Sequence, residues 1–248
     1  MSKPLAVIIM AAGKGTRMKN PDMAKVMYPI NAKPMIEYVI DLADKLHSQK
    51  TVVIVGWQKE SVIYHLASVG SQVTCVEQSP QLGTGHAIMQ AEPVLKHFLG
   101  DALVLSGDVP MLRYETVRSL LEFHRSQDAA ATVLTANLSD PTGYGRIVRD
   151  KQGNVVAIVE HKDATEEQRL ISEINSGIYV FDESKLFEGL KHITPNNAQK
   201  EYYLTDVFDY FWKLRLKVCA MVTPDSREIQ GINTIEQLEE ARTVMGNA

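Results

Sequence analysis

LAVIIMAAGKGTRM, residues 5–18, is the stretch on which the fold turns. Its first six residues form an unbroken apolar run, the pattern of a central strand covered on both faces rather than one with a wet side. The run then gives way to glycine. A strand followed by Gly13 and Gly15 lets the backbone approach a phosphate and points free N–H groups at it. The spacing is not that of a Walker A loop, because no Gly-Lys-Ser/Thr closes it. Nor is it the dinucleotide fingerprint, since Met18 stands where a third glycine is required. The loop is distinguished by its charge. Lys14 and Arg17 lie inside it and Lys25 follows, so the segment reads as a phosphate-binding loop.

Working outward, residues 51–55 and 102–105 repeat the buried-strand pattern, and residues 73–76 give a shorter strand. Between and after them, residues 35–46, 61–67, 84–99 and 114–123 carry apolar side chains at helical spacing. Strand and helix in alternation predict a parallel sheet with right-handed crossovers, and in such sheets ligands gather at the carboxyl ends of the strands. Beyond residue 130 the pattern changes. Residues 131–136, 145–148, 155–159 and 177–181 read as strands with short loops, and residues 150–153 as a hairpin turn. Helices are expected over 203–212 and 234–242. The expected architecture is α/β: a Rossmann-like mixed, mainly parallel sheet with flanking helices and a small antiparallel insert. No linker or repeat divides the chain, so one domain is expected over 1–248, with a first part over about 5–130 and a second over about 131–233.

Composition narrows the partners. The 248 residues are 45% hydrophobic and 23% charged, with a formal net charge of −4. That is enough chain for a packed core, and its charge argues against nucleic acid or an acidic membrane as a partner. The only two cysteines, Cys75 and Cys219, lie far apart. They point to a reducing, cytoplasmic setting without a metal cluster. No apolar run approaches the roughly 20 residues of a membrane span.

The loop that opens the chain resembles the signature of sugar-1-phosphate nucleotidyltransferases. Further segments extend the likeness: QLGTGH (81–86), SGDVP (106–110), DPTGYGRI (140–147), IVEHKDA (158–164), EINSG (173–177) and NNAQKEYYLTD (196–206). Together they resemble the uridyltransferase half of the bifunctional bacterial enzymes that make UDP-N-acetylglucosamine, a peptidoglycan precursor, over about residues 5–233. The resemblance implies transfer of UMP from UTP to N-acetyl-α-D-glucosamine 1-phosphate with Mg²⁺, on a nucleotide-diphospho-sugar transferase fold. Hexapeptide repeats of a left-handed β-helix, the acetyltransferase half of those enzymes, are not found in this sequence. Acetyl transfer is therefore not expected, a trimer is not implied, and monomer or dimer is left open. A sister sugar-1-phosphate nucleotidyltransferase, acting on glucose 1-phosphate, another sugar phosphate or another nucleotide, and a non-catalytic nucleotide-sugar sensor are the competing readings.

The residues themselves bear on these roles. Ala11, Ala12, Gly13, Lys14 and Gly15 make the phosphate loop. Gln78 carries an amide that donates and accepts together, as the imide edge of uracil requires. Gly83 allows close approach, and Thr84 offers a hydroxyl at a helix start. Read alone, that segment is a helix cap with a loop glutamine; the resemblance implies that it holds uracil. Asp108 ends the third long strand, where a carboxylate facing a triphosphate calls for a hard cation such as Mg²⁺. Asn233 alone reads as the cap of the last helix, and only the resemblance makes it the second metal ligand. The resemblance likewise implies sugar-phosphate contacts at Gly145, Glu160 and Asn175, with Tyr144 nearby and Lys162 adding charge. Two departures from the family pattern stand near the charges: Ala24 replaces the proline before Lys25, and Gln230 replaces an acid beside Asn233. His86, His161 and the aromatics Tyr202, Tyr203, Phe208, Tyr210, Phe211 and Trp212 read as packing residues. Because the attacking sugar phosphate is already anionic, no general base is assigned. Arg17 and Lys25 are the expected catalytic cations.

Overall fold

The computed structural model describes residues 3–18, 20 and 22–246. Nine strands form one sheet: β1 (Leu5–Ala11), β2 (Lys50–Val55), β3 (Thr74–Glu77), β4 (Asp101–Ser106), β5 (Ala131–Asn137), β6 (Gly145–Arg149), β7 (Val155–Val159), β8 (Glu173–Asp182) and β9 (Val218–Val222). The sheet order is β9-β5-β8-β4-β1-β2-β3, and the β6–β7 hairpin is attached through β8. β1 lies parallel between β2 and β4, with Val7 opposite Thr51 on one side and Leu103 on the other. That position is why residues 5–9 are all apolar and at most 4% exposed. From β1 the chain builds β2 and β3 on one side and then crosses to place β4 on the other, a topological switch point, and a crevice opens there at the carboxyl ends of β1 and β4.

Alternate side chains of the central strands feed two cores. Val7, Ile9, Val53 and Leu103 pack with α1 (Met35–Lys45), α2 (Lys59–Ser68) and α5 (Tyr114–Ser126). Ile8, Val52, Ile54 and Val104 pack on the other face with α3 (Thr84–Met89), α7 (Glu183–Leu190) and α8 (Asp206–Lys213). The second core holds an aromatic cluster in which Phe208 lies 5.6 Å from Tyr179 and 5.5 Å from Phe181, ring centre to ring centre. Phe208, Phe211 and Trp212 are thus packing residues, as expected.

The expected helix over 84–99 is broken. It divides into α3 and α4 (Glu92–Leu95), because Pro93 has no N–H to donate to residue 89 and its ring crowds that carbonyl. The α8 helix starts at Asp206 rather than 203, since residues 201–205 run as a strap along α3 instead. Among the elements without a counterpart in the sequence reading are α6 (Glu166–Arg169), α7 and β9, whose five residues pair parallel to β5. The antiparallel expectation for the second half is met in β8, which runs antiparallel to β4, β5 and β6, and in the β6–β7 hairpin.

A third, small core brings the far end of the chain to its beginning. Met18, Tyr28, Ile30 and Met35 pack against Ile232, Leu238 and Ala241, the last two on α9 (Ile235–Gly246). Arg242 donates to the Pro29 carbonyl at 2.7 Å. The segment before α9 is thereby fixed beside the glycine loop. No helix among the described residues is long and apolar enough to cross a membrane.

Candidate active site

The glycine loop leaves β1 at Ala11 and turns under Lys25. Gly15 adopts φ +59°, and a Cβ there would lie 2.7 Å from the Lys25 Cβ, so only glycine lets the two segments touch. Lys25 Nζ donates to Asp108 Oδ2 and, at 2.9 Å, to Asn233 Oδ1. Arg17 Nη2 donates to the same Asn233 oxygen at 3.0 Å. Four residues separated by up to 216 positions therefore converge, and Ala24 before Lys25 does not keep the lysine out of reach. The backbone closes the same junction, with Ile232 N donating to the Asp108 carbonyl at 2.9 Å.

Asn233 is not the cap of the last helix. Thr234 Oγ1 accepts from Gln237 N at 3.3 Å, and Gln237 Oε1 accepts from Thr234 N at 3.2 Å. This reciprocal cap leaves the Asn233 amide oxygen to the two cations. Sequence reading alone could not choose between adjacent Asn and Thr, both good caps.

A cavity of about 520 Å³ opens at the carboxyl end of β1. Ala11, Ala12, Gly13, Lys14, Lys25, Gln78, Gly83, Thr84 and Asp108 all line it. Gln78 is buried; its Nε2 donates to the Gly83 carbonyl at 2.9 Å and lies 3.3 Å from His86 Nδ1. Burial lowers the pKa of His86. Gly83 has φ +109°, and a Cβ there would meet the Tyr202 carbonyl at 2.6 Å. The strap 201–205 is the reason: Tyr202 N donates to the Leu82 carbonyl, Gly85 N to the Tyr202 carbonyl and Leu204 N to Thr84 Oγ1.

A second cavity of about 210 Å³ adjoins the first and shares Met10, Thr84 and Ser106 with it. Tyr144, Gly145, Glu160 and Asn175 line this one. Gly145, Glu160 and Asn175 are immediate neighbours, since a Cβ at Gly145 would lie 3.4 Å from both Glu160 Oε2 and Asn175 Cβ. Asn175 Nδ2 donates to the Tyr179 hydroxyl at 2.7 Å, across an irregularity in β8. Glu160 Oε1 accepts from the Thr205 hydroxyl at 3.2 Å. Burial raises the Glu160 pKa, opposed by the Thr205 hydrogen bond and aided by the nearby Asp163. Burial also raises that of Tyr144, and Asp108 adds to it.

Of the residues singled out from sequence, Arg17 and Asn233 sit at the rim through their bonds to each other and Lys25, and Gly15 supports Lys25 from behind. Lys162 lines neither cavity. It lies in the turn after β7, and the structure does not bring it to the others. Several lining residues escaped the sequence reading. Gln81 lines the first cavity and its amide donates to the Ala12 carbonyl of the loop. Glu201 lines the first cavity and Thr205 the second. All three lie in segments that carry the family resemblance, which was the available signal. Tyr203, read as packing, is buried with a hydroxyl that has no hydrogen-bond partner among the described residues. Burial, with Asp163 and Glu160 nearby, pushes its pKa up to about 12.

The mainly parallel sheet carries a glycine loop at its switch point, cations on and beside that loop, and a polar pocket alongside. The sequence matches the nucleotidyl transferase family over residues 6–226, and the chain belongs to that family. It is 46% identical over 238 residues to the bifunctional protein GlmU of Streptococcus equi subsp. zooepidemicus, covering 96% of this chain and 51% of that protein. With the same coverage it is 48% identical to the bifunctional protein GlmU of Geobacillus thermodenitrificans. The chain thus spans about half the length of the curated relatives it matches. Among solved structures, a UDP-glucose pyrophosphorylase complexed with UDP-glucose superposes with a TM-score of 0.77 at 19% identity, over 100% of this chain and 99% of the other. A glucose-1-phosphate thymidylyltransferase described as putative, from Bacillus anthracis, gives 0.76 at 21% identity, over 97% of this chain and 94% of the other. At such identities these two likenesses show the fold alone.

Proposed function

We propose that the chain transfers UMP from UTP to N-acetyl-α-D-glucosamine 1-phosphate, releasing pyrophosphate. The observation that carries the reading is the pair of adjoining cavities. One is lined by the glycine loop, its cations and the Gln78 amide, the other by a carboxylate, an amide and hydroxyls, and they meet at Met10, Thr84 and Ser106. Similarity to bifunctional GlmU proteins over almost the whole chain supports the choice of substrates.

The nucleophile is an oxygen of the sugar phosphate, which forms a bond to the α-phosphorus of UTP as the bond to the β-phosphate oxygen breaks. The attacking oxygen is already ionised, so no side chain has to remove a proton. What the protein supplies is alignment of two polyanions and charge to offset their repulsion. Loop amides 11–15 and Lys14 hold the triphosphate, Gln78 and the Gly83 backbone hold the base, and Arg17 and Lys25 face the α-phosphate and the leaving pyrophosphate. Glu160, Asn175 and Thr205 take the sugar hydroxyls.

The donor set suits Mg²⁺. The Asp108 carboxylate and the Asn233 amide oxygen both contact one nitrogen, Lys25 Nζ, so both can face one cation. Mg²⁺ is commonly held by one or two protein oxygens with phosphates and water completing the shell. No group of three or more His, Cys, Asp or Glu residues that could hold a metal occurs among the described residues. Bound there, Mg²⁺ would neutralise phosphate charge. A cytoplasmic setting, with Cys75 and Cys219 as free thiols, belongs to the same reading.

The test is pyrophosphate release from UTP with N-acetylglucosamine 1-phosphate, beside glucose 1-phosphate, with magnesium and then with EDTA. Magnesium-dependent release favouring the acetylated sugar is expected. Preference for glucose 1-phosphate would move the chain to a sister activity, and UTP binding without release from any sugar phosphate would make it a sensor.

A further inference from the structure

Arg146 heads the fully buried side chains by volume, with 1% of its surface exposed. A buried arginine is ordinarily matched by a carboxylate, because an unmatched charge away from water is costly. Here no acid pairs with it among the described residues; the exposed Asp140 acts on it only at longer range. Its Nε has no hydrogen-bond partner among the described residues.

The guanidinium hydrogen bonds go to two backbone carbonyls and a histidine ring nitrogen. Nη1 donates to the Tyr144 carbonyl, and Nη2 lies 3.4 Å from His161 Nδ1 and 3.4 Å from the Arg169 carbonyl. These acceptors come from the loop before β6, the turn after β7 and the end of α6, which together frame the insert. Tyr144 lines the second cavity, as does Gly145, the residue next to Arg146. One planar fork reaching three segments at once is a task that a lysine ammonium performs poorly.

We infer that Arg146 is a positioning residue for the sugar-phosphate site, its buried guanidinium tying the Tyr144 loop to the rest of the insert so that the second cavity keeps its shape. The inference rests on the reading of that cavity as the sugar-phosphate site. Arg146 does not line the cavity itself and acts only through Tyr144.

The test compares Arg146→Met and Arg146→Lys with the parent chain in three measurements: KM for each substrate, melting temperature, and hydrogen exchange. Arg146→Met is expected to raise KM for N-acetylglucosamine 1-phosphate at least tenfold while KM for UTP stays within twofold, and Arg146→Lys to recover part of that loss. Exchange in residues 140–145 is expected to quicken in both variants while β1 stays protected. An unchanged sugar-phosphate KM overturns the inference. So does a parallel loss of UTP affinity, melting temperature and β1 protection, which would mark a general structural role. If Arg146→Met does not fold, the Arg146→Lys split decides. Hydrogen exchange needs no substrate. Inactivity of the parent chain would therefore strike the proposed reaction alone, and unaltered exchange at 140–145 would strike Arg146 alone.

Discussion

The two ends of the crevice are built from opposite materials. The first cavity sets the loop leaving β1, residues 10–14, against Lys25 and Val26, the segment from Gln78 to Ala87, Ser106, Asp108 and Glu201, with two cations, Lys14 and Lys25, in its wall and Arg17 bonded to Asn233 beside it. The second has no cation in its lining. Besides the shared Met10, Thr84 and Ser106, it is lined by Gly143 to Gly145, Glu160, Asn175 to Gly177, Tyr179, and Leu204 with Thr205. Its polar groups already bond to one another, Asn175 to Tyr179 and Glu160 to Thr205. The first end is suited to charge, which backbone amides and cations meet without fine geometry. The second is suited to hydroxyl groups, which demand oriented donors and acceptors. If this contrast is functional, damage at the first end should fall on turnover and damage at the second on sugar affinity.

The largest effect is expected where the charges converge. Arg17→Ala and Asp108→Ala should each lower kcat by at least about 100-fold, the usual cost of one preorganised charge. Asp108→Ala also strips Lys25 of its carboxylate partner. Pyrophosphate release under saturating substrates is the measurement, and near-normal turnover in either variant breaks the assignment of the first end. Next come Glu160→Gln and Asn175→Ala. A hydrogen bond is worth about 0.5–1.5 kcal/mol, and about 1.5–3 kcal/mol where one group is charged, so kcat/KM for the sugar phosphate should drop roughly 10- to 100-fold in Glu160→Gln and roughly 2- to 10-fold in Asn175→Ala, with the KM for UTP unmoved. Equal losses for both substrates would erase the distinction between the two ends.

A third change should strike both ends, because one strap joins them. Residues 201–205 bond to Leu82, Thr84 and Gly85 and carry Glu201 into one cavity and Thr205 into the other. Gly83→Ala puts a methyl group 2.6 Å from the Tyr202 carbonyl at a φ of +109°. Overpacking of this kind costs about 1–3 kcal/mol, so both KM values should rise roughly tenfold. A rise for UTP alone would mean that the strap does not transmit the strain.

This contrast also governed what could be read from the sequence. At the first end, an apolar run followed by glycines and cations is local, and β1, the loop and the neighbouring strands were legible without the fold. Asn233 was not, because its position depends on a core formed by Met18, Tyr28, Ile30 and Met35 with Ile232 and Leu238. No periodicity in the last helix announces that contact. At the second end the individual side chains gave weak signals, and only resemblance gathered them. Lys162 shows the limit of that route, since its motif matched yet the turn after β7 leaves it outside the cavity. Pro93 was a local signal that the helical spacing of its neighbours overrode. The strand Val218–Val222 is short and half-exposed, and its pairing with β5 is decided by tertiary contacts.

The smallest effect is one of pH, and it separates the ends most finely. Burial raises the Glu160 pKa, so on acidification this carboxylate takes up a proton before an exposed glutamate does. The sugar-phosphate KM should therefore climb a few-fold on acidification, at a pH above that at which an exposed glutamate would protonate. The substrate's own phosphate, with a second pKa near 6, titrates over part of the same range. Glu160→Gln serves as the control, because it retains the phosphate contribution and loses the rest. Stability should run the other way. A carboxyl whose pKa is higher in the fold than in the open chain stabilises the fold at low pH and ceases to do so as pH rises through its folded value. Glu160→Gln should thus melt slightly above the parent at pH 8 and converge with it as Glu160 protonates. If the difference in melting temperature and the difference in sugar-phosphate KM shrink over the same pH interval, one carboxylate accounts for both. If they do not, Glu160 is not the titrating group of the second end.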